Sequence, residues 1–453
     1  MSTDNIQQKQ MAVTTLISLF VLVFTFPFLK IDPLLLFWLL VIFFVSLIMF
    51  LDVFYGLILL LIARPVLDIS SNLEIISVGP FSLNLAAILG IMTILFGITA
   101  IIKNKKKIRS LPLWWQWSLF LVVSFLSIAW SFSFSISISE WIRLGTVFSL
   151  LILGFLATNT FQETINLAKA IIFSAFIPAI FATYQFFTKN GFTLNFEDVP
   201  NRIFGTFAHP NPFAYFLTLV LSLSLFFILK NKNRQKLLAT LFFFVALSLL
   251  VLTYTRGAWL VLLGVIMLIG IVKYRKFLVL SLFLFLFAYI AIAPIHSRIN
   301  SLVVQGPSSS IKWRLELWKD SLDYISERPF YGFGIGTSEE VILQKRGFQF
   351  GSTIPHNDYL KLAIDTGIVG LASFIVLITS LLLLWLKRLK QEASSNPEKY
   401  LLLLIFTSFT ATILTASAID NILDATALQW AFWSMAGALI ATTQRKNDQQ
   451  PIS

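Results

Sequence analysis

Residues 82–109 read SLNLAAILGIMTILFGITAIIKNKKKIR, an apolar run followed at once by a basic cluster. Residues 82–102 carry no charge, whereas five Lys and Arg side chains follow within positions 103–109. An α-helix needs about 20 apolar residues to cross the hydrocarbon core of a bilayer, and cations concentrate on the cytoplasmic side. The stretch therefore predicts a membrane-spanning helix whose C-terminal end faces the cytoplasm.

The same pattern recurs along the chain. Apolar runs predict fourteen spans, near 12–29, 33–51, 53–66, 82–102, 112–131, 139–160, 164–187, 209–229, 237–254, 258–272, 277–295, 367–386, 400–419 and 425–442. Asp52 is the only break between the second and third runs, and twelve spans remain if those two form one re-entrant or interfacial pair. The sequence thus predicts an all-α polytopic integral membrane protein with about 12–14 transmembrane helices.

Composition excludes the other classes of protein. Of the 453 residues, 57% are hydrophobic and 12% are charged, and the mean hydropathy is +0.83. An ordinary soluble domain is about 45–50% apolar and about 25% charged, so no soluble fold of this size could bury the surplus. Cysteine is absent, which excludes a disulfide framework and a thiol-ligated metal site. The net charge of +12 is then explained by cations held on the cytoplasmic side.

The basic residues test this topology. Counting alternate spans places every basic cluster on one face, predicted to be cytoplasmic, at 103–109, 230–236, 273–276, 387–399 and 445–446. The opposite face receives 67–81, 188–208, the turn Tyr254–Gly257 and the segment 296–366. We divide the chain into N-terminal spans 1–187, central spans 188–295 with outward-facing Arg motifs, a large outer loop 296–366, and C-terminal spans with a short tail, 367–453.

The large outer loop is the one substantial polar stretch. A long loop is uncommon unless it functions, so we look for function at the outer face. An amphipathic helix is predicted near 312–325, with an apolar face of Leu315, Trp318, Leu322 and Ile325. We expect Lys312 and Lys319 to meet phospholipid headgroups.

Arg314 starts from the edge of that apolar face, one turn before Trp318. Its position between two Trp residues suits a partly buried diphosphate site. Further along the loop, the glycines of 331–336 predict a turn whose backbone passes close to a ligand or a helix, because no strand precedes them to form a dinucleotide-binding unit.

His356 follows Pro355, which suits a helix start. We predict His356 in the first helical turn, where the positive end of the helix dipole favours the neutral imidazole that a general base needs. A capping or packing histidine is the alternative on this pattern alone.

Two other outward segments carry candidate residues. Arg256 at a span end could extend to headgroups, or it could clamp phosphate with its fork of donors. His209 is predicted to be structural and Asn211 to be a helix cap. The span interiors carry essentially no Asp or Glu, unlike ion-coupled transporters, and no His and carboxylate cluster has the spacing of metal ligands.

Taken together, these residues resemble the O-antigen ligase and polymerase superfamily of bacterial envelope glycosyltransferases. The resemblance is carried by Thr255–Trp259, Arg314 with Trp318, Pro329–Gly336, His356–Leu360, and the following Gly367 and Gly370. It covers roughly residues 200–380 and extends elsewhere only as a hydropathy profile.

The resemblance implies a GT-C-like fold and a metal-independent, cofactor-free glycosyltransferase of the bacterial inner membrane. Its donor would be a glycan linked to undecaprenyl diphosphate, and its acceptor a hydroxyl on the outer face. The family's basic residues map onto Arg256 and Arg314, and its loop histidine onto His356, as catalytic residues. We add Arg202, Trp318, Asn357 and Tyr359 as predicted substrate-binding residues.

Direct displacement with inversion is the expected chemistry, since no carboxylate nucleophile is evident in the sequence. His356 would take the acceptor proton while the arginines neutralise the leaving diphosphate. The acceptor stays open between lipid A-core, another glycan unit and a protein hydroxyl. The alternative from another class is a transporter of a small anion or solute, in which the outer cations form a substrate funnel.

Overall fold

A computed structural model describes residues 33–70, 74–78, 81–193, 201–291, 296, 300, 310–347 and 352–444. The predicted span 12–29 and the basic residues 445–446 lie outside the described residues.

The described chain is almost entirely helical. Its helices, numbered in chain order, are α1 Pro33–Leu51, α2 Val53–Leu67, α3 Leu85–Lys103, α4 Lys105–Ile108, α5 Trp114–Leu126, α6 Phe134–Ala157, α7 Phe161–Ser174, α8 Phe176–Thr188, α9 Pro210–Lys230, α10 Asn233–Leu252, α11 Arg256–Val272, α12 Arg275–Ala291, α13 Ser310–Glu327, α14 Ser338–Arg346, α15 Asp358–Glu392, α16 Pro397–Ala416 and α17 Thr426–Gln444. One antiparallel hairpin, β1 Glu74–Val78 and β2 Phe81–Asn84, begins in the predicted outer segment 67–81 and ends three residues inside the predicted span 82–102. The predicted all-α polytopic membrane fold is confirmed.

Within the described residues, every predicted span from 33–51 onward overlaps a helix. Within the described residues, nine helical stretches are long and apolar enough to cross a membrane, and two further apolar helices, 114–130 and 256–272, are shorter. The remaining predicted spans fall on α12 and α17, which do not reach the same length and hydropathy. The count of 12–14 spans therefore stays a prediction.

Side-chain caps set where several helices begin. The Asp52 carboxylate accepts hydrogen bonds from Phe54 N at 2.8 Å and Tyr55 N at 3.2 Å, which starts α2 immediately after α1 ends. Asn84 starts α3 in the same way, by accepting from Ala87 N at 2.9 Å. These oxygens satisfy backbone donors that the first turn of a helix leaves without partners. A single Asp is thus sufficient to separate the second and third predicted spans.

The centre of the bundle is formed by α9 and α17. Of the apolar window of α9, 83% is buried, so this helix is surrounded by protein. Helix α17 crosses α6 at close range, because a Cβ on Gly154 would collide with the Ser434 carbonyl and one on Gly437 with the Leu151 carbonyl. Small residues of this kind let membrane helices approach backbone to backbone.

One end of the bundle collects the basic clusters, and we call it the basic end. Lys107 Nζ donates to Leu156 O at 2.7 Å, Lys399 Nζ to Thr442 O at 3.2 Å and Arg388 Nη1 to Thr443 O at 3.2 Å. Lys230 pairs with Glu398 at 2.7 Å, and the Lys273 ammonium lies 5.0 Å from the Tyr400 ring centroid. The four described clusters are therefore brought together, as the predicted sidedness requires.

At the opposite end, α15 is interrupted. Gly367 has φ 66° and ψ −170°, a backbone conformation that only glycine adopts readily. The carbonyls of Ile364 and Asp365, freed by the break, accept from Phe333 N at 2.9 Å and Gly334 N at 2.8 Å. The glycine-rich segment 331–336 thus packs against a helix, which is one of the two alternatives that the sequence predicted.

The predicted apolar face of α13 is wrong in part. Leu315 and Leu322 are 55% and 58% exposed, and the buried face instead centres on Leu317, with Trp313 and Ile325 beside it. Phe333, Val341, Ile342 and Ile364 cover that face, and they come from α14, α15 and the 331–336 segment. The apolar residues of α13 are spread around the helix, so the tertiary partners decide which of them are buried.

Candidate functional site

Five segments meet at the end of the bundle opposite the basic end, which we call the site end. They are the first turns of α9 and α11, helix α13, the residues preceding α15, and the turn Asp420–Asp424 between α16 and α17. Side chains of α9 and of the segment before α15 form a hydrogen-bond network that meets at Asp420. Arg314 of α13 bonds the backbone next to Asp420, and the start of α11 packs against the network. The network surrounds His356.

His356 is bonded to a carboxylate. Its Nδ1 lies 2.9 Å from Asp420 Oδ1, and the two side chains are 17% and 8% exposed. His356 has φ 49° and precedes the helix, which begins at Asp358. The prediction of His356 in the first helical turn is therefore wrong. His356 lies two positions before the first helical residue, because Asn357, and not a residue before Pro355, caps the helix.

The backbone around His356 is held by three side chains that we predicted to bind substrate. Asn357 Oδ1 accepts from Tyr359 N at 3.0 Å and Leu360 N at 3.1 Å, which caps α15. Trp318 Nε1 donates to Pro355 O at 2.7 Å, and Tyr359 Oη donates to Leu414 O at 2.7 Å. These contacts give Trp318, Asn357 and Tyr359 a role in holding the segment, whereas substrate binding by them stays a prediction.

Asp420 is the centre of the network. Its Oδ2 accepts from Tyr215 Oη at 3.0 Å and Asn211 Nδ2 at 3.3 Å, and its Oδ1 also accepts from Asn421 N at 3.0 Å. Burial raises the pKa of this carboxyl, but the hydrogen bond from His356 and the positive charge of Arg314 outweigh burial and hold the pKa well below its usual range. An ionised carboxylate can only accept, so His356 Nδ1 carries a proton, and in the neutral form of the ring the lone pair is therefore on Nε2.

Arg314 approaches the same turn from α13. Its Nη1 donates to Ile419 O at 2.9 Å, and its guanidinium lies 5.5 Å from the Trp313 ring centroid. The Trp313 ring in turn meets the His356 ring edge to face, with centroids 5.4 Å apart. The buried Nε of Arg314 has no hydrogen-bond partner among the residues that the structure describes. His356 and Arg314 are thus brought to one place, and the arginine keeps donors for a ligand.

Arg256 is the first residue of α11, next to the network. The following Gly257 is needed for close approach, because a Cβ there would collide with Tyr215 Oη and lie 3.9 Å from Asp420 Oδ2. The start of α11 is therefore pressed against the Tyr215–Asp420 pair, and the Arg256 side chain leaves from that point. The positive end of the α11 dipole lies there as well.

Arg202 is placed behind this surface rather than on it. It is 3% exposed, and it donates to Thr253 O at 2.8 Å, Asn211 Oδ1 at 2.9 Å and Thr255 Oγ1 at 3.1 Å. These bonds tie the start of α9 to the turn before α11. Arg202 therefore orients Asn211 toward Asp420, and direct substrate binding by Arg202 stays a prediction.

Sequence reasoning missed Asp420 and Tyr215, and it misassigned Asn211. The cap of α9 is His209, whose Nδ1 accepts from Asn211 N at 3.1 Å. Asn211 is the second residue of α9, and its side-chain amide bonds Asp420 and Arg202. Alternation of the spans already placed the turn after residue 419 on the outer face, so it offered a signal for Asp420.

A metal ion has no evident ligand set at this end. In the part of the chain that the structure describes, no three His, Asp or Glu side chains are grouped so as to hold one. The cationic groups near His356 are Arg314 and, at the start of α11, Arg256. The chemistry that this arrangement offers is anion binding by guanidinium groups beside one imidazole base.

Comparison with known proteins identifies part of the chain. Residues 241–375 match the family model described as O-antigen ligase. This segment is thus similar to the O-antigen ligase family. The matched O-antigen ligase segment contains Arg256, Arg314 and His356, whereas Asp420 lies beyond it. The predicted resemblance is confirmed.

One curated relative is similar over a longer stretch. It is an uncharacterized protein of Haemophilus influenzae, 26% identical over 252 residues, which are 49% of this chain. The chain spans 59% of the length of that relative.

Proposed function

We propose that this protein transfers a glycan from an undecaprenyl-diphosphate-linked donor to an acceptor hydroxyl at the outer face of the inner membrane. The observation that carries the proposal is the His356–Asp420 contact of 2.9 Å beside Arg314, inside or next to the O-antigen ligase segment. A base and an anion-binding group side by side are what transfer from a diphosphate requires.

The proton is taken by His356. Asp420 fixes the ring with its Nδ1 proton, so Nε2 is free of that bond and accepts the proton of the acceptor hydroxyl as the oxygen attacks the anomeric carbon. Asp420 also stabilises the imidazolium that forms. General-base catalysis of this kind contributes roughly 10²–10⁴-fold to a rate.

The leaving diphosphate is neutralised by arginine. Arg314 offers the guanidinium N–H groups that its bond to Ile419 O does not use, and Arg256 adds a second cation from the start of α11. Planar guanidinium groups suit phosphate oxygens because they donate in a fixed fork. Charge that builds on the diphosphate is thereby met by groups already in place.

The surroundings of Asp420 support inversion at the anomeric carbon. Both carboxylate oxygens already accept hydrogen bonds, and the residue is 6% exposed. Asp420 is therefore poorly placed to attack the sugar as a nucleophile, and a single displacement by the acceptor is the step we propose. Comparison of the anomeric configuration in donor and product by NMR tests it.

The function is tested by His356→Ala and Arg314→Ala in cells that lack the native gene, with surface polysaccharide resolved by gel electrophoresis. We expect both variants to insert normally and to lose the long-chain or ligated glycan. His296→Ala and Lys319→Ala are the matched controls, since both residues are exposed and neither is hydrogen-bonded to Asp420 among the described residues. Wild-type banding in both site variants would defeat the proposal.

The same variants separate glycan transfer from transport of a small anion. A transporter would keep uptake when His356 is replaced, because no proton has to leave an acceptor hydroxyl. In His356→Ala, loss of polysaccharide together with accumulation of the lipid-linked donor therefore supports transfer, and intact polysaccharide with unchanged uptake supports transport.

A further inference from the structure

The turn Asp420–Asp424 has two sides, and the proposed chemistry uses only one of them. Asp420 faces His356, whereas the next residues face a second set of buried polar groups on α6 and α15. The proposed mechanism gives none of those groups a task. Their contacts all end on the same turn.

Asp358 makes the most direct of these contacts. Its Oδ2 accepts from Ile422 N at 2.9 Å and Leu423 N at 3.1 Å, and its own N–H donates to Ser417 O at 2.8 Å. The Asp358 side chain is fully buried. His356 bonds Asp420 and Asp358 bonds Ile422, so the two segments are joined at two points with the same spacing of two residues.

Arg143 of α6 holds the other end of the turn. Its Nη1 donates to Leu423 O at 2.6 Å, and its Nη2 lies 3.5 Å from Asp424 Oδ1. Glu140 fixes the same guanidinium through two bonds of 2.7 Å and 2.5 Å. Lys361 completes the anchor by bonding Asp424 at 2.5 Å.

We propose that Asp358, assisted by Arg143, is a positioning residue that fixes the turn so that Asp420 meets His356. The inference rests on the proposed function for its catalytic consequence, but the placement of the turn can be measured separately. Buried N–H groups need acceptors, so loss of the Asp358 carboxylate leaves Ile422 N and Leu423 N without partners and the turn moves to find others. A displacement of about 1 Å at a base costs roughly 100-fold in rate.

The deciding variants are Asp358→Ala and Asp358→Asn in the full-length protein. Asparagine keeps an oxygen that can accept both N–H groups, and alanine does not. We expect Asp358→Ala to reduce surface polysaccharide by about 10- to 100-fold and Asp358→Asn to restore most of it. Asp52→Ala is the matched control, because Asp52 also accepts from two backbone N–H groups but caps α2 away from the turn.

Two measurements on purified protein report the turn itself. Hydrogen exchange of peptides that span 417–425 should accelerate in Asp358→Ala and stay at the wild-type rate in Asp52→Ala. The chain has three histidines, so ¹⁵N-histidine labelling resolves the His356 ring, whose Nδ1–H signal should be lost in Asp358→Ala as it is in Asp420→Asn. Arg143→Lys serves if Asp358→Ala does not fold, because one ammonium cannot replace the bonds of the guanidinium to both Glu140 and Leu423.

The outcomes separate the two proposals. Unchanged exchange and an unchanged His356 signal in Asp358→Ala overturn the positioning role, whatever happens to the glycan. Accelerated exchange with loss of the signal supports it, even if His356→Ala turned out to retain polysaccharide and so defeated the proposed function.

Discussion

The two ends of the bundle both hold buried or half-buried cations, but they use them differently. At the basic end, Lys107, Lys399 and Arg388 donate to the carbonyls of Leu156, Thr442 and Thr443, where helices terminate. Cations at such positions complement the helix dipole and satisfy orphan carbonyls. At the site end, Arg314 donates to Ile419 O in the connection between α16 and α17 and lies against Trp313, whose ring contacts the His356 imidazole. The buried Nε of Arg314 and that of Arg388 both lack a partner among the described residues, so the neighbouring imidazole, and not an unused donor, distinguishes the site end.

The largest effect that would sharpen this contrast is expected for Asp420→Asn. The amide has nearly the same shape but cannot hold the imidazolium, and it can turn its N–H₂ toward His356 Nδ1 and reverse the tautomer. We expect loss of product by roughly 100-fold or more, measured by gel banding of surface polysaccharide. Glu316→Gln on the exposed side of α13 is the control and should keep wild-type banding.

The lowered pKa of Asp420 also determines how the stability of the fold depends on pH. Its pKa is lowered in the folded protein, so its bonds stabilise the fold above the ordinary aspartate range and are lost only as the pH falls through the lowered value. Between about pH 5 and 8 we expect no change in stability from this group. A thermal-unfolding midpoint that fell in this range in wild type but not in Asp420→Asn would contradict the assignment.

The next effect compares the same substitution at the two ends. Arg314→Lys replaces a planar fork by a point charge, so we expect roughly a tenfold loss of product at the site end. Arg388→Lys at the basic end can still donate to Thr443 O, and we expect product within about twofold of wild type. Equal losses at both ends would remove the distinction between a ligand-binding and a capping arginine.

A smaller effect is expected where the site end depends on close packing. In Gly257→Ala the new methyl group collides with Tyr215 Oη, so Tyr215 has to leave Asp420. We expect a several-fold loss of product, close to that of Tyr215→Phe, since both changes remove about one hydrogen bond. Gly145→Ala in α6 is the control, because the nearest atom there, Ile94 Cδ1, is 3.5 Å away and the methyl group fits.

The helices could be predicted because each depends on its own residues. A run of about 20 apolar side chains needs a helix wherever it lies in a bilayer, and Asp52 ends α1 and starts α2 through local bonds. The face of α13 was not predictable in the same way, since Leu315 and Leu317 are equally apolar and only the position of Phe333 and Ile364 decides between them.

The site was predictable in its cations but not in its centre. Arg256, Arg314 and His356 are polar residues in or beside outer segments of an otherwise apolar chain, so the sequence of each segment was sufficient to make each residue a candidate. Asp420 is separated from His356 by 64 positions, and only packing of α15 against the turn after α16 shows that they meet. For Arg202 the sequence suggested ligand binding, because the residue is charged. In the structure its guanidinium donates to Thr253, Asn211 and Thr255 within the protein.

The smallest effect is expected on the exposed side of α13, whose other residues contribute to the site end. Lys312 and Lys319 are exposed and have no ion pair among the described residues, although they belong to the same helix as Arg314. If they only meet phospholipid headgroups, the double variant Lys312→Ala/Lys319→Ala keeps product within about twofold, as exposed charges contribute little each. The measurement is the amount of product formed by the double variant in membranes from cells rich in anionic lipid and in membranes from cells poor in it. A loss as large as that of Arg314→Lys, in both preparations, would extend the anion-binding surface along α13 and make the boundary between the site and the rest of the loop wrong.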